Sequence, residues 1–545
     1  MNHTAINGRG NLGDAVSPAV GDSNGANVLK HSDVVPAAVV RERMPAAHVE
    51  PASISQVGRA VARARAAQYE WQRRPLAERV TALVEAAREM LRRRHEVIAL
   101  ARDEMGKVSV EGLFNEALGP LDAAVGWARV VGRATRRRRV WLNPLSFPKK
   151  SAHVDLVPRG VVGVIAPWNY PVAALYRSTL PALMTGNGVV VKPSEFSPRT
   201  SAWFVDRLAA ALPEGLIHVV HGDRQVGAAL IDAGIDACVF TGSSESGRAV
   251  RLHCAQRGIA SSIEMGGKDP AIVLADCDLR RTVAGITNWT LSNAGQACGA
   301  IEVAYVDEQI ADAFVAAVRR VWTRLRVGPE PFSDVAPLAN RRQFETVRSH
   351  VEDARAKGAV LVCGGACPEG SLAYPPTLLD RCDERMKVVR DETFGPVLAV
   401  VRVAGAADAV RRTNASRYGL GASIWTRDTA RAKRLAERLE VGVVTINDHA
   451  FSGAIPALPW SGTRDTGFGV ANSEYALATF VRPRAMLIDK ATTPELFWMP
   501  YDDTLWRIGD ILADLQLGHL GTLWRLPLLI RQRKRALRDF FTRED

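Results

Sequence analysis

Hydrophobic positions change their spacing along this chain, and the changes divide it into segments. From about Ile54 to Met105, apolar residues recur at intervals of three and four, with arginine and glutamate between them. This spacing predicts amphipathic helix. From about residue 160, short Val/Ile-rich runs such as GVVGVI, GVVVK and ACVFT alternate with helix-length segments. That alternation predicts βαβ units and a parallel sheet, and its return after residue 300 predicts a second α/β unit.

Both ends of the chain depart from this alternation. The segment 1–48 is rich in Gly, Asn, Ser and Asp and has no apolar stretch typical of a secretory signal, so we interpret it as a disordered tail. After Lys490, apolar residues fall on one face of a predicted helix at 505–515, and six basic residues without an acid follow from Arg525 to Arg538. Such a basic amphipathic segment either lies on an anionic membrane face or packs on protein, and packing is the more common outcome.

Composition narrows the function classes. A length of 545 residues predicts two or three domains, and no apolar run is long enough to span a bilayer. The net charge of +12 has no nucleic-acid-binding motif to accompany it, so we expect no nucleic-acid partner. The seven cysteines form neither a disulfide framework nor a zinc site, which favours the cytoplasm and predicts no metal.

One cysteine has an unusual setting. Cys298 lies in the stretch NAGQACGA, where its neighbours have little side-chain bulk and leave room for a substrate. A lone cysteine is most often buried and inert, whereas a nucleophilic one must be able to form a thiolate.

Further polar and glycine residues follow predicted strands, at the edge where parallel sheets bind ligands. An amide there can stabilise an oxyanion, a cation with a carboxylate suits ribose hydroxyls, and a glycine-flanked helix start suits a pyrophosphate. The fragments are IAPWNYP with Asn169, VKPSE with Lys192 and Glu195, FTGSSESG with Gly242 and Gly247, EMGGK with Glu264, and ETFGP with Glu392 and Phe394.

Together and in this order, these motifs resemble the aldehyde dehydrogenase superfamily over roughly residues 50–485. The matching stretches are PWN at 167–169, KPSE at 192–195, FTGS at 240–243, EMGGK at 264–268, GQAC at 295–298 and ETFGP at 392–396. The sequence departs from the family pattern at Met265, at Val303 and in PWSGTRDTGFG, where Trp460, Ser461 and Arg464 replace commoner residues.

The resemblance implies a role for each matching position. Cys298 is the expected nucleophile, with Asn169 and the Cys298 N–H as the oxyanion hole and Glu264 as the general base. Lys192 is expected to serve both catalysis and cofactor binding. Together with Glu195, it is expected to hold the adenosine ribose. Glu392 is expected at the nicotinamide ribose and Phe394 beside the nicotinamide. The other expected cofactor contacts are Trp168, Gly242, Ser243 and Gly247.

The resemblance also implies an α/β fold with a variant Rossmann cofactor domain, a second α/β catalytic domain and a small β-hairpin oligomerisation arm. The predicted boundaries are 49–140 with 161–264 for the NAD(P)-binding domain, 265–470 for the catalytic domain, 141–160 with 471–490 for the arm, and 491–545 for a C-terminal extension. A homodimer or homotetramer is expected.

ELFWMPYDD in the extension is similar to a segment of membrane-associated long-chain aldehyde dehydrogenases, which adds a peripheral membrane contact as an alternative to packing.

The expected activity is hydrolytic oxidation of an aldehyde with NAD, or alternatively NADP, because Glu195 can accept from a ribose 2′-OH and would repel a 2′-phosphate. A CoA-acylating enzyme and a catalytically inactive relative are the alternatives. Glu264 argues against transfer to CoA, which needs no such base.

The aromatic candidates Trp168, Tyr170, Tyr176, Trp460 and Phe468 suggest an apolar aldehyde, although each could equally be a packing residue. No arginine adjoins Cys298 in sequence to favour a carboxylated one, although one could come from elsewhere in the chain.

Overall fold

A computed structural model describes residues 49–144, 146–367 and 370–542, so the predicted tail 1–48 lies outside the described residues. The helices are α1 Ile54–Trp71, α2 Leu76–Arg92, α3 Arg94–Met105, α4 Ser109–Glu111, α5 Gly119–Ala134, α6 Ala173–Met184, α7 Pro198–Ala209, α8 Arg224–Asp232, α9 Ser244–Gln256, α10 Leu279–Leu291, α11 Glu308–Trp322, α12 Arg341–Ala356, α13 Lys387–Arg390, α14 Ala406–Ala415, α15 Thr429–Ala436, α16 Asp503–Gln516 and α17 Leu526–Thr542. The strands are β1 Arg138–Val140, β2 Lys150–Pro158, β3 Val161–Ile165, β4 Gly188–Lys192, β5 Ile217–Val219, β6 Ala237–Thr241, β7 Ala260–Glu264, β8 Asp269–Val273, β9 Ile301–Asp307, β10 Val360–Cys363, β11 Thr377–Asp380, β12 Val397–Val403, β13 Tyr418–Gly419, β14 Gly421–Trp425, β15 Val443–Ile446, β16 Thr463–Arg464, β17 Gly467–Phe468 and β18 Val481–Asp489.

The helical pattern near the N-terminus is three helices rather than one. Ser53 caps α1 through a capping box with Gln56, and the apolar face of α1 lies against the first sheet. The approach to β4 is close, because a Cβ at Gly188 would lie 2.7 Å from the carbonyl oxygen of Ala64. Glycine at that position therefore sets how near the helix can lie to the sheet.

The first sheet has six strands in the order β17-β7-β6-β3-β4-β5. Strands β3 to β7 run parallel, and the two-residue strand β17 pairs antiparallel with β7. The parallel direction brings the carboxyl ends of β3, β4, β6 and β7 to one edge of the sheet. The motifs that follow these strands therefore meet there.

The second sheet has seven strands in the order β10-β11-β12-β9-β8-β14-β15. All neighbouring pairs are parallel except β10 with β11. Its central strands are mostly apolar and are buried along their length, as expected for a sheet with both faces covered. The α/β fold that the alternation predicted is confirmed.

A smaller sheet of three strands, β1-β2-β18, contains the predicted arm. Strand β18 pairs antiparallel with β2 over nine residues, from Val481 opposite Pro158 to Asp489 opposite Lys150. The other edge of β18 has no partner strand within the described residues. The domain boundaries stay a prediction, and β17 belongs to the first sheet although it falls inside the predicted catalytic domain.

The C-terminal extension forms a helical hairpin of α16 and α17. Ile508 and Ile511 on α16 and Leu537 on α17 are buried. Lys150 of β2 forms ion pairs with Asp489 and, at 2.7 Å, with Glu495. This bridge joins the start of the extension to the three-stranded sheet.

Candidate active site

Cys298 lies between a short 3₁₀ turn, Ser292–Gly295, and strand β9. The turn is left-handed at Asn293, Ala294 and Gly295, with φ of 53°, 55° and 73°. A Cβ at Gly295 would lie 2.2 Å from the carbonyl oxygen of Gly395. Only glycine allows this approach, which brings the cysteine loop against the ETFGP segment.

The backbone carbonyl of Gln296 and the side chain of Asn169 fix each other. Asn169 Nδ2 donates to Gln296 O at 2.9 Å, and Asn293 Nδ2 donates to the same oxygen at 3.1 Å and to Asn169 O at 3.0 Å. Asn169 is buried. Its amide carries two N–H donors, so one remains for an oxyanion after the bond to Gln296.

A buried ion pair between Lys107 and Glu116 holds the backbone carbonyl of Asn169. Lys107 Nζ lies 2.5 Å from Glu116 Oε1 and donates to Asn169 O at 2.9 Å, and neither charged side chain is exposed. The second oxygen of Glu116 accepts from Val172 N at 2.9 Å, at the start of α6. Lys107 also lies over the ring of Tyr170, 4.1 Å from its centroid. Both charges are therefore compensated, which a buried ion pair requires.

A second buried carboxylate holds the left-handed turn. Glu111 Oε1 accepts from Asn293 N at 2.6 Å. Burial raises the pKa of Glu111, and the backbone hydrogen bond and the charge of Lys107 act in the opposite direction. The loop that carries Cys298 is thus tied to the segment between α3 and α5.

Glu264 ends strand β7, and its position is fixed from two sides. Gly467 of β17 pairs with it, and Gly242 N donates to its carbonyl at 3.1 Å. Burial raises the pKa of Glu264, while the cation of Arg177 lowers it. A carboxyl with a raised pKa is suited to proton transfer near neutral pH.

Arg177 is the cation closest to this chemistry. It lies on α6, with Nη2 3.7 Å from Glu264 Oε2 and its guanidinium 5.5 Å from the ring centroid of Trp460. Its Nε and Nη2 are buried and have no hydrogen-bond partner among the residues that the structure describes. Unpaired buried donors are costly, so these two nitrogens are free for an acceptor on a substrate.

The electrostatic environment of Cys298 is mixed. Burial raises the pKa of its thiol to about 12, Arg177 acts to lower it, and the carboxyls of Glu264, Asp269 and Glu392 act to raise it. At neutral pH the thiol therefore holds its proton. Attack requires that this proton be removed as the substrate binds.

The ETFGP loop is held by one buried glutamate. Glu302 accepts from Thr393 N at 2.7 Å and from Phe394 N at 2.8 Å, and it pairs with buried Lys268. Glu392 accepts from Gly267 N at 3.1 Å, and burial raises its pKa to about 8. The positions of Glu392 and Phe394 thus follow from a charge on β9.

The predicted cofactor residues lie along the carboxyl edge of the first sheet. Lys192 ends β4 with its side chain buried, and its Nζ is 3.8 Å from Glu195 Oε2, longer than a hydrogen bond. Burial lowers the pKa of Lys192. An ammonium group with a carboxylate beside it fits the two hydroxyls of a ribose, so the residues present suit a dinucleotide.

The two glycines after β6 serve packing. A Cβ at Gly242 would lie 2.7 Å from the Phe240 ring, and a Cβ at Gly247 would lie 2.5 Å from the sulfur of Met265. Ser243 caps α9 by accepting from Ser246 N. The helix start faces the sheet edge, so its free N–H groups suit a phosphate.

The aromatic candidates divide into two groups. Trp168 packs edge-on against Phe394, with centroids 5.7 Å apart, and Trp460 and Phe468 line a small cavity with Glu264. Phe468 is partly exposed, and the Arg251 guanidinium lies 3.3 Å from its ring centroid.

Tyr170 and Tyr176 behave as packing residues. Burial raises the pKa of both phenols, to about 12 for Tyr176. Tyr170 lies beneath Lys107, and Tyr176 packs so closely on α5 that a Cβ at Gly119 would lie 2.7 Å from its ring. Their aromatic character therefore says little about the substrate.

Sequence reasoning missed the residues that position the site. Arg177 adjoins Tyr176, but nothing in its helical context distinguishes it from a solvated arginine. Lys107, Glu111 and Glu116 fall in a stretch of ordinary amphipathic composition. Only the conjunction of Lys and Glu beside apolar residues hinted that they are buried.

Comparison with known proteins identifies the class of molecule. The family model described as "Aldehyde dehydrogenase family" matches residues 33–486, and the chain belongs to this family. The prediction from the motifs is confirmed.

Two curated relatives are similar over most of the chain. One is a 4,4′-diapolycopene aldehyde oxidase from Methylomonas sp, 37% identical over 83% of this chain and 85% of that protein. Another is a putative succinate-semialdehyde dehydrogenase [NADP(+)] from Mycolicibacterium smegmatis, 35% identical over 86% of this chain and 88% of that protein. Among solved structures, an aldehyde dehydrogenase of Mycobacterium tuberculosis complexed with NAD+ has a TM-score of 0.77 and 30% identity, over 82% of this chain and 92% of that chain.

The first prediction concerns the buried ion pair. We expect Lys107→Met to destabilise the protein by about 3–5 kcal/mol, because it leaves a buried carboxylate without its cation. The shift of the urea midpoint measures this loss. The control is Arg73→Met, which removes the exposed pair with Glu70 and should cost under about 1 kcal/mol.

The double variant Lys107→Met/Glu116→Gln separates charge from volume. It should recover part of the lost stability, because no uncompensated charge remains. Equal losses in Lys107→Met and in the double variant would contradict the role given to the pair.

The second prediction concerns the thiol of Cys298. Since burial raises its pKa to about 12, the thiolate fraction should rise about tenfold per pH unit between pH 7 and 10. The rate of iodoacetamide alkylation measures that fraction, with Cys298→Ser as the background for the other six cysteines.

Arg177→Met should slow the alkylation of Cys298 by at least about tenfold at a given pH, because the cation that lowers the thiol pKa is gone. Arg248→Met is the matched control, since Arg248 pairs with Asp465 at the surface. An alkylation rate that does not depend on pH, or is unchanged in Arg177→Met, would refute this electrostatic account.

Proposed function

We propose that the protein oxidises an aldehyde to the carboxylic acid with a nicotinamide dinucleotide, through a thiohemiacetal and a thioester on Cys298. The observation that carries the proposal is that Cys298 lies close to both other groups: Asn169 bonds to the backbone two residues before it, and the carboxyl of Glu264, fixed by strand pairing, acts on the pKa of its thiol. The Aldehyde dehydrogenase family membership supports it. An inactive relative would have no need to hold all three groups in place.

The protein groups account for each covalent step. The Cys298 sulfur, having lost its proton, bonds to the aldehyde carbon, and the carbonyl oxygen becomes an oxyanion held by Asn169 Nδ2 and the Cys298 N–H. Loss of hydride from that carbon restores the carbonyl and leaves a thioester. Glu264 then takes a proton from water, whose oxygen attacks the thioester, and the C–S bond breaks to return the thiolate.

The cofactor supplies the acceptor for the hydride when it is bound. Lys192 and Glu195 would hold the adenosine ribose, and Glu392 the nicotinamide ribose. Phe394 would lie beside the nicotinamide. Trp168 and Ser243 would contact the adenosine and the phosphates. We propose NAD as the preferred form, since Glu195 would repel a 2′-phosphate, while Lys192 offsets part of that repulsion and leaves NADP usable.

The preferred substrate in this proposal is an apolar aldehyde. Trp460 is buried against Cys298 and Leu420, and it lines the cavity beside Glu264 together with Phe468. The name of the Methylomonas relative, 4,4′-diapolycopene aldehyde oxidase, agrees with this choice.

Arg177 favours a second candidate, an aldehyde that also carries a carboxylate. Its unpaired Nε and Nη2 are donors to which a carboxylate can bond, close to the nucleophile. The succinate-semialdehyde dehydrogenase name of the Mycolicibacterium relative points the same way. The two candidates differ in the role of Arg177. With a carboxylated aldehyde it would bind the substrate, whereas with an apolar aldehyde it would only lower the pKa of Cys298 and Glu264.

We also propose that the protein is a cytoplasmic homodimer or homotetramer. All seven cysteines are free thiols, as a reducing compartment favours. The open edge of β18 exposes Met486, Leu487 and Ile488, and an edge of nine residues offers backbone groups to a second copy. A peripheral contact with a membrane through the extension completes the proposal.

The third prediction tests the assigned roles. Cys298→Ser should abolish the rise of absorbance at 340 nm with aldehydes while dinucleotide binding persists. Glu264→Gln should lower steady turnover by about a hundredfold or more and reveal a burst of reduced cofactor, because thioester hydrolysis becomes limiting. Unchanged steady turnover in Glu264→Gln would show that Glu264 is not the base.

Product analysis completes this test. The free acid should form at the same rate with and without CoA. An acyl-CoA product would replace the hydrolytic proposal by the CoA-acylating one.

The fourth prediction tests the substrate. For an apolar aldehyde, kcat/KM should rise about tenfold or more over a series of linear aldehydes, because each buried CH₂ contributes roughly 0.8 kcal/mol. For a carboxylated aldehyde, Arg177→Met should raise KM for succinate semialdehyde far more than for butanal, which has the same chain length. Both series are measured with NAD and with NADP.

A further inference from the structure

The C-terminal hairpin presents a cluster of exposed apolar side chains at its tip. Between α16 and α17 the chain turns through 517–525, and five large apolar residues there and at the start of α17 are at least 41% exposed. They are Leu517, Leu520, Leu523, Trp524 and Leu528, which we call the tip patch. Isolated exposed apolar residues are ordinary, whereas a cluster of this kind marks an interaction surface.

Positive charge follows the tip patch along α17. From Leu517 to Arg538 the sequence has no Asp or Glu, and the acids that flank this stretch are Asp514, beside His519, and Asp539, which lies 3.8 Å from Arg535 and 3.6 Å from Arg538. On α17 the apolar side faces α16, and Leu537 is buried there. The outer side of α17 carries four exposed cations in addition to Arg525 at the tip: Arg531, Lys534, Arg535 and Arg538.

Buried hydrogen bonds fix the conformation of the hairpin. Arg533 is almost fully buried and donates from Nε to Leu496 O at 3.0 Å, from Nη1 to Asp502 at 2.9 Å and from Nη2 to Trp498 O at 2.5 Å. It thus fixes α17 to the segment before α16. A buried guanidinium that donates through all three of its nitrogens orients the outer face of α17 relative to the rest of the extension.

From this arrangement we infer that the tip patch inserts into the interfacial layer of a bilayer that contains anionic lipid, with the cations of α17 on the lipid headgroups. Tryptophan and leucine are the side chains that enter this layer, and each lysine or arginine close to an anionic surface contributes about 1 kcal/mol. A protein partner would have to supply both an apolar pocket and a dense acidic surface. No described helix is long and apolar enough to cross a bilayer.

The inference rests on the peripheral membrane contact proposed above, which it deepens, and does not depend on the catalytic proposal. Where an apolar aldehyde is the substrate, attachment to a bilayer would place the enzyme at the phase in which that aldehyde dissolves. Vesicle binding is measured without aldehyde or cofactor, so its failure and the failure of the proposed activity are distinguishable.

The experiment sediments the full-length protein with vesicles of phosphatidylcholine, with and without phosphatidylglycerol. We expect the protein to pellet with the anionic vesicles and to be released by salt, since the charges are exposed. Leu520→Ser/Trp524→Ser and, separately, Arg535→Glu/Arg538→Glu should each weaken binding at least about tenfold. Absence of the wild-type protein from the anionic pellet would overturn the inference.

Two matched controls isolate the tip patch. Trp506→Ser removes a tryptophan as exposed as Trp524 but next to the acids of α16, and Trp141→Ser removes one that follows β1 of the three-stranded sheet. Neither should change binding. Light scattering of Leu520→Ser/Trp524→Ser gives the subunit number, and a loss of subunits would show instead that a second copy covers the patch, which also overturns the inference.

Discussion

The hydrogen bonds that fix Asn169 and the left-handed turn before Cys298 are the constraint on which the site depends. A turn with three successive positive φ values is strained, and it persists only where its surroundings determine it. Here the Asn293 side chain, the Glu111 carboxylate and Gly395 all determine it. The proposed nucleophile, Cys298, therefore sits on backbone that cannot relax without releasing buried polar groups.

Buried charge is distributed around this turn with a clear division of roles. Lys107 with Glu116 and Lys268 with Glu302 are closed pairs whose other hydrogen bonds go to backbone or, for Lys268, to the Thr393 hydroxyl, so they shape the loops. Arg177 is instead left open, with unpaired nitrogens beside Glu264. The closed pairs position groups, whereas the open cation is available to act on whatever enters.

Much of the fold could be predicted from sequence, and the candidate reacting groups could be proposed from it, for physical reasons. The alternation of Val/Ile runs with amphipathic segments is set by burial of a parallel sheet, and the motifs at the strand ends are short and local. Arg177 and Lys107 could not be found in this way, because their meaning arises only when α6 and the residues before α5 meet the cysteine loop. The same applies to β17, whose two residues carry no strand signal and join the first sheet by pairing with β7 alone.

That small strand has a mechanical consequence. The chain crosses from the second sheet back to the first at Gly467, where it pairs with the residue that we propose as the base. Any hinge motion that opened the cleft between the two sheets would have to break this pairing or carry Glu264 along with the segment around Trp460. Ligands are therefore expected to bind and leave by motion of side chains and loops. The β17–β7 pairing would stay intact and hold the two sheets together throughout the cycle.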